Sequence, residues 1–222
     1  MSEVKLPIPL KFRRGSLREN EAKSLDSAIK LLDWVSKEKS IQGARILDFG
    51  CGVKISQALF QLDSPQQLYF GLDVYEEMVQ YLKDALSDYP NYAFESVNFW
   101  NEMYNQDGEV MTRDSILPVG DGKFDILMMF SVITHMNPKD SDAVLGILRR
   151  YAARDSKLFF WAFADEAQSE DFIDYDPRRP LLRAKYRRSF LESIIADTGW
   201  KIERAVEIVR NHKKVRYVCS VA

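Results

Sequence analysis

Cysteine is scarce in this chain: Cys51 and Cys219 are the only two among 222 residues. They lie far apart, and neither stands in the paired spacing of a zinc site or a disulfide framework, so reduced thiols and no metal centre are expected. Charge of one sign is missing as well. Lysine and arginine total 31 against 33 aspartate and glutamate, a net charge of −2, which gives no general attraction to phosphate backbones or anionic lipid. No nucleic-acid or membrane partner is indicated. Long apolar runs are also absent. No segment approaches the roughly 18 apolar residues of a membrane span, and residues 1–20, interrupted by prolines and arginines, lack the apolar run of a secretion signal. The expectation is a cytoplasmic protein. There is no internal repeat and no low-complexity tract, and 46% hydrophobic residues suffice for the core of one large domain.

What is present is alternation. Short runs rich in branched and aromatic residues, at 45–49, 68–72, 92–97, 124–130 and 157–163, are separated by helical patterns at 56–62, 76–87 and 140–152. That order predicts parallel strands joined by crossover helices, with helices on both faces of the sheet. Asn137 and Pro138 suit the cap and first turn of the third helix. Before the first strand, Leu25, Ala28, Ile29, Leu32 and Val35 recur at helical spacing. After the fifth, 186–198 reads as a helix stopped by Gly199. Two strands, 200–209 and 215–221, then follow across a polar stretch too short for a crossover helix, so they are expected to be antiparallel neighbours. The predicted fold is an α/β, Rossmann-like, seven-stranded, mostly parallel sheet with an antiparallel C-terminal strand. Within one domain of 1–222, residues 1–43 form an N-terminal extension and helix, 44–163 a cofactor-binding core, 164–186 a substrate-side insertion, and 187–222 the terminal helix and hairpin.

The sharpest local signal is Ile46-Leu47-Asp48-Phe49-Gly50-Cys51-Gly52, an apolar strand entering a glycine pair with a helix behind. Glycines 50 and 52 permit a tight turn and close approach of a ligand to the backbone, since a β-carbon at either place would occupy that space. Asp73 ends the next strand in Phe70-Gly71-Leu72-Asp73-Val74, where a carboxylate can accept both hydroxyls of a ribose. Two signals at consecutive strand ends predict one adenosine pocket. A dinucleotide fingerprint would want glycine at position 55 beside the pyrophosphate, and Ile55 stands there instead; S-adenosyl-L-methionine carries no pyrophosphate. Asn98 at the third strand end offers an amide oxygen to an adenine amino group, with the Phe99 N–H for the ring nitrogen, or it caps the following turn. Asp48 can face the ammonium of a methionine moiety, or hold the loop amides.

Leu47-Asp48-Phe49-Gly50-Cys51-Gly52, Gly71-Leu72-Asp73-Val74 with Glu77-Met78, Phe124-Asp125-Ile126-Leu127 and Ser131-Val132-Ile133-Thr134-His135-Met136 together resemble the class I S-adenosylmethionine-dependent methyltransferases, from about Arg45 to the C-terminus. A parallel sheet finished by one reversed strand is that family's architecture. The resemblance implies that Gly50, Gly52, Asp73 and Asn98 line the cofactor, with Cys51 and Val74 beside them and the backbone of Phe130 and Ser131 near the methionine moiety. Lys54 departs from the pattern, standing where the family often has a further glycine.

Methyl transfer from a sulfonium is an in-line displacement that depends chiefly on alignment, and a small-molecule acceptor methylated on oxygen or nitrogen is expected. A non-catalytic module binding the cofactor or its demethylated product has the same sequence signals. His135 is the candidate base for a hydroxyl acceptor, or else it bonds the loop backbone or walls the cofactor; His212, between the last two strands, is expected in solvent. The N-terminal region, 100–122 and 164–186 should supply recognition. Tyr104, Tyr175 and Tyr186 serve there as substrate contacts or packing anchors. Residues 165–176 are acidic and 178–188 basic, a pattern of mutual neutralisation or of a lid whose arginines grip an anion.

Overall fold

The computed structural model describes residues 3–102, 104–176, 178–208 and 213–222. Runs of branched and aromatic residues form β1 (Arg45–Phe49), β2 (Leu68–Asp73), β3 (Tyr92–Ser96) and β4 (Phe124–Met129), whose side chains fit a pleated surface buried on both faces. They pair in parallel in the order β3-β2-β1-β4, and β4 pairs in parallel with the longer β5 (Ala152–Ala164). At the far edge, β9 (Lys214–Val221) runs antiparallel to β5, and β8 (Trp200–Ile208) antiparallel to β9. The expected reversed hairpin therefore closes the sheet.

Helices cover both faces. On one lie α1 (Glu21–Glu38), α2 (Lys54–Gln61) and α3 (Glu76–Ala85), whose Leu32, Val35, Leu59 and Leu82 pack with Ile46, Tyr69, Ile126 and Phe159. On the other lie α4 (Pro138–Tyr151) and α5 (Arg188–Asp197), whose Leu145, Leu148, Leu191 and Ile195 pack with Leu47, Leu127, Phe160 and Tyr217. Local chemistry sets the helix ends. The Asn20 side chain accepts from the Lys23 N–H at 3.0 Å and the Asn137 side chain from the Asp140 N–H at 2.9 Å, each satisfying an N–H the helix leaves free. Trp200 seals the α4 face, its Nε1 donating to the Leu145 carbonyl at 3.0 Å.

Two short strands extend the seven that the sequence predicts. β6 (Phe172–Asp174) and β7 (Ala184–Tyr186) pair with each other, and β7 joins Phe163 and Ala164 of β5. Phe163 pairs with Lys185 of β7 and also with Lys214 of β9. A strand has two edges, so β7 takes the β4 side of β5, beyond the last β4 pair at Met129 and Phe160. The insertion 164–186 thus sits at the carboxyl edge of the sheet, on the strands that precede the candidate site. Among the described residues no helix is long and apolar enough to cross a membrane.

Candidate active site

The turn after β1 is built on two left-handed residues, Gly50 at φ 66° and Gly52 at φ 50°, a conformation that costs other residues energy. The Cys51 N–H donates to the Leu72 carbonyl at 2.9 Å, pinning the turn to the end of β2. The two glycines differ in their surroundings. A β-carbon on Gly52 would meet nothing within 4 Å, whereas one on Gly50 would lie 2.5 Å from Cγ2 of Val132. Val132 takes up the direction in which a side chain at Gly50 would point, which adds a second reason for glycine there. Ile55, in the first turn of α2, is 3% exposed and packs in the core.

Asp73 fastens the turn to β2. Its Oδ2 accepts from the Gly52 N–H at 2.9 Å and its Oδ1 from the Tyr75 N–H at 3.1 Å. Burial raises its pKa, opposed by N–H groups of Gly52, Tyr75 and Val74 and by the charge of Arg14. A carboxylate has about four lone-pair sites, so two bonds leave it able to accept two hydroxyls. Asp48 lies behind the turn at 1% exposure, accepting from the Tyr69 hydroxyl at 2.7 Å. Burial pushes its pKa up to about 7, with the Tyr69 bond opposing and Asp73 adding. Two carboxylates near one another in a site of low polarity form a trap for positive charge.

At the end of β3, Asn98 is exposed and its Oδ1 accepts from Asn105 Nδ2 at 3.1 Å. The same Nδ2 donates to the Phe99 carbonyl at 3.0 Å, and the Phe99 ring stacks at 6.3 Å on Phe49. Val74 is partly buried against the core. After β4, Phe130 is partly buried and Ser131 is exposed at φ 63°, a left-handed turn in a residue with a β-carbon.

His135 follows Ser131 in the segment after β4. It lies in a short 3₁₀ turn (Ile133–His135), and its Nδ1 meets the Leu181 carbonyl at 3.2 Å. Burial lowers its pKa from 6.5, against the main chain of Leu181 and Leu182, which favours the charged ring. A neutral imidazole holds the insertion to the end of β4. His212 lies outside the described residues.

Several acidic residues of the insertion are paired. Asp165 pairs with Lys213 at 2.7 Å, Arg178 with Asp176 at 3.2 Å, and Arg187 with Asp171. Tyr186 is fully buried, donating to the Met136 carbonyl at 2.6 Å and bonded to the Ser141 hydroxyl at 2.8 Å; it is a packing anchor and meets no substrate. Tyr104 and Tyr175 stay exposed.

Three contributors escaped the sequence reading. Tyr69 and Val132 support Asp48 and Gly50 from other strands and loops. Arg14 belongs to an N-terminal strap that crosses α2 and α3, where Gln57 Nε2 donates to the Leu6 carbonyl at 2.8 Å and Phe12 packs on Tyr75 and Tyr81. The strap ends with the Arg14 guanidinium 5.5 Å from the Tyr75 ring and 5.9 Å from the Tyr104 ring. The only advance signal was a run of cations, Lys11, Arg13 and Arg14, ahead of the first helix.

Comparison with known proteins agrees with this geometry. Residues 41–172 match a family described as a methyltransferase domain. Among solved structures, the chain is similar to magnesium protoporphyrin IX methyltransferase from Synechocystis with bound SAM, at 18% identity over 95% of this chain and 86% of that one, with a TM-score of 0.58. It also resembles an S-adenosylmethionine-dependent methyltransferase from Clostridium acetobutylicum, at 11% identity over 93% and 95% of the two chains and a TM-score of 0.60. The glycopeptide N-methyltransferase MtfA with sinefungin matches at 10% identity over 88% and 94%, with a TM-score of 0.60. By its sheet order, its glycine turn and this family match, the chain belongs to the methyltransferase-domain family and is a class I S-adenosyl-L-methionine-dependent methyltransferase.

Proposed function

We propose that the chain methylates an oxygen or nitrogen of a small-molecule acceptor. The observation that carries this reading is the tie between the Gly52 N–H and Asp73, with open space on Gly52 and the buried Asp48 behind. When bound, the cofactor supplies a methyl group on a positively charged sulfur. The chain's part is to bind, orient and exclude water. Asp73 accepts the ribose hydroxyls with the lone pairs that Gly52 and Tyr75 leave over. Asn98 and the Phe99 N–H serve the adenine, with Cys51 and Val74 as walls. Asp48 takes the ammonium, and the Phe130–Ser131 backbone lies along the methionine portion.

Proton removal, where the acceptor is a hydroxyl, falls to His135. With the Nδ1 proton donated to the Leu181 carbonyl, Nε2 holds the lone pair, and a lowered pKa keeps the ring neutral near pH 7, the state a base requires. An amine acceptor already neutral needs no such help. In-line attack depends mainly on alignment of the two partners, which fits a site whose groups are held by main-chain bonds.

The test has two steps. Calorimetric titration with S-adenosyl-L-methionine and S-adenosylhomocysteine should give saturable binding of both. Incubation with methyl-labelled cofactor and a fractionated cell extract should then place label in a low-molecular-mass product. Binding without transfer into any fraction would leave a cofactor-binding module in place of an enzyme.

A further inference from the structure

Many cations among the described residues have a carboxylate against them. Lys213 pairs with Asp165, Lys157 with Glu203, Arg204 with Glu38 and Lys39 with Asp155. Three cations at the carboxyl edge do not. Lys54, Lys214 and Arg216 have no carboxylate or hydrogen-bond acceptor on their side chains among the described residues, and Arg216 Nε is buried with no partner.

The sheet brings them together from distant parts of the chain. In β9, Lys214 and Arg216 alternate with the buried Val215 and Tyr217, so both point to the α1 face. Register sets Arg216 opposite Trp161 of β5. The Lys214 ammonium lies 3.8 Å from the centre of the Trp161 ring, and the Arg216 guanidinium 5.2 Å from that of Trp34 in α1. Lys54, first residue of α2, joins from the glycine-turn side and adds to the positive field at Lys214. Burial, then Arg216, then Lys54 push the Lys214 pKa down to about 8. Like charges gathered against apolar rings oppose folding unless something else uses them. Indole faces hold cations in place, and low polarity strengthens their pull on an anion.

The cluster abuts the methyl-transfer end of the site. Trp161 Nε1 donates to Ser131 Oγ at 3.2 Å, and the Trp161 ring lies 5.0 Å from that of Phe130, the two residues placed along the methionine portion above. We propose that the methyl acceptor is an anion, a small carboxylate or phosphate ester, whose charge is held by Lys54, Lys214 and Arg216 beside Trp161. The proposal rests on the functional reading just given and names its substrate class. Of the basic stretch 178–188, which the sequence offered for this task, Arg178 and Arg187 are paired with Asp176 and Asp171.

The experiment titrates benzoate and inorganic phosphate, with benzamide as the uncharged control, into protein saturated with S-adenosylhomocysteine, following tryptophan fluorescence and heat. Wild type should bind an anion and not benzamide. Arg216→Met and Lys214→Met should each weaken the anion by at least about tenfold, the scale of one charge-assisted hydrogen bond, while S-adenosylhomocysteine affinity stays within about twofold. Lys54→Met, on a separate element, should act in the same direction and covers the case in which a β9 variant fails to fold. Failure of both anions to bind the cofactor-loaded wild type, or equal binding of benzamide, overturns the proposal. So does a tenfold loss of S-adenosylhomocysteine affinity with anion binding unchanged, because the cluster would then serve the cofactor's own carboxylate. If wild type ignores S-adenosylhomocysteine, the methyl-transfer reading fails, and the same titrations without cofactor still decide whether an anion site exists.

Discussion

Replacing Asp48 by asparagine separates the charge of the site from its shape. Asp48 is 1% exposed, accepts one hydrogen bond from Tyr69 at 2.7 Å and feels the negative field of Asp73. Its carboxyl moves from 3.8 to about 7, burial being the largest cause. Between those limits the folded chain keeps a proton that the unfolded chain has released, so stability falls as pH rises through the window. A little over three pH units at about 1.4 kcal/mol each comes to about 4 kcal/mol lost by pH 8. Asparagine cannot ionise, yet its Oδ1 can still accept the Tyr69 proton. Urea unfolding of both proteins at pH 5 and pH 8 should therefore find the variant more stable by about 1.5 kcal/mol at pH 5 and by about 4 kcal/mol at pH 8, the gap widening by about 2.5 kcal/mol. The same carboxylate is assigned to the cofactor ammonium. Wild-type affinity for S-adenosylhomocysteine should accordingly rise from pH 6 to pH 8, and the variant should bind more weakly with a flat profile. Parallel stability curves from pH 5 to pH 8 would refute the claim that Asp48 carries this proton.

Asp73→Ala removes the proposed ribose acceptor and should cost about 1.5–3 kcal/mol of cofactor affinity, the scale of hydrogen bonds to a charged group; unchanged calorimetric affinity would reject the assignment. Gly50→Ala strains a residue at φ 66° and drives a β-carbon to 2.5 Å from Val132 Cγ2, so it should lower stability by about 1–3 kcal/mol from the backbone alone, and adding Val132→Ala should recover only the steric part. For His135, a base with a pKa held below 6.5 by burial predicts that kcat/KM falls as pH drops through that depressed value. His135→Gln should abolish this acidic limb; a limb that survives in the variant leaves the residue only the task of holding the Leu181 carbonyl.

The parts of the fold written in local pattern were legible from the sequence. Strand 45–49 coincides with β1, and the Asn137 cap with Pro138 opens α4 as expected, because apolar runs and caps are properties of neighbouring residues. The first residues of β5 were not legible. Ala152-Ala153-Arg154-Asp155-Ser156 lacks an apolar run, and it is held extended by the buried Ser156 hydroxyl, which donates to the Phe124 carbonyl at 2.6 Å and accepts from the Ala153 N–H at 2.7 Å. β6 and β7 have three residues each, too few for a period to declare itself, and they exist through pairing with each other and with β5.

The site divides along the same line, and the division says what kind of residue sequence reading overlooks. Glycines before a helix and an aspartate at a strand end announce themselves, because their place in a strand-turn-helix pattern is local even where their partner is not. Val132 lies far along the chain from Gly50, and Tyr69 from Asp48, so only the strand order brings them together. Lys214 and Arg216 are an intermediate case. Their alternation with Val215 and Tyr217 already said that one face of that strand is charged, but a charged strand face ordinarily turns to water. What changes its meaning is the register that sets Arg216 against Trp161 and α1 against the same face. A cation facing solvent costs almost nothing, whereas one held between tryptophans without a counter-ion demands a reason. That demand is what links the last strand, silent in the sequence motifs, to the chemistry at the end of β4.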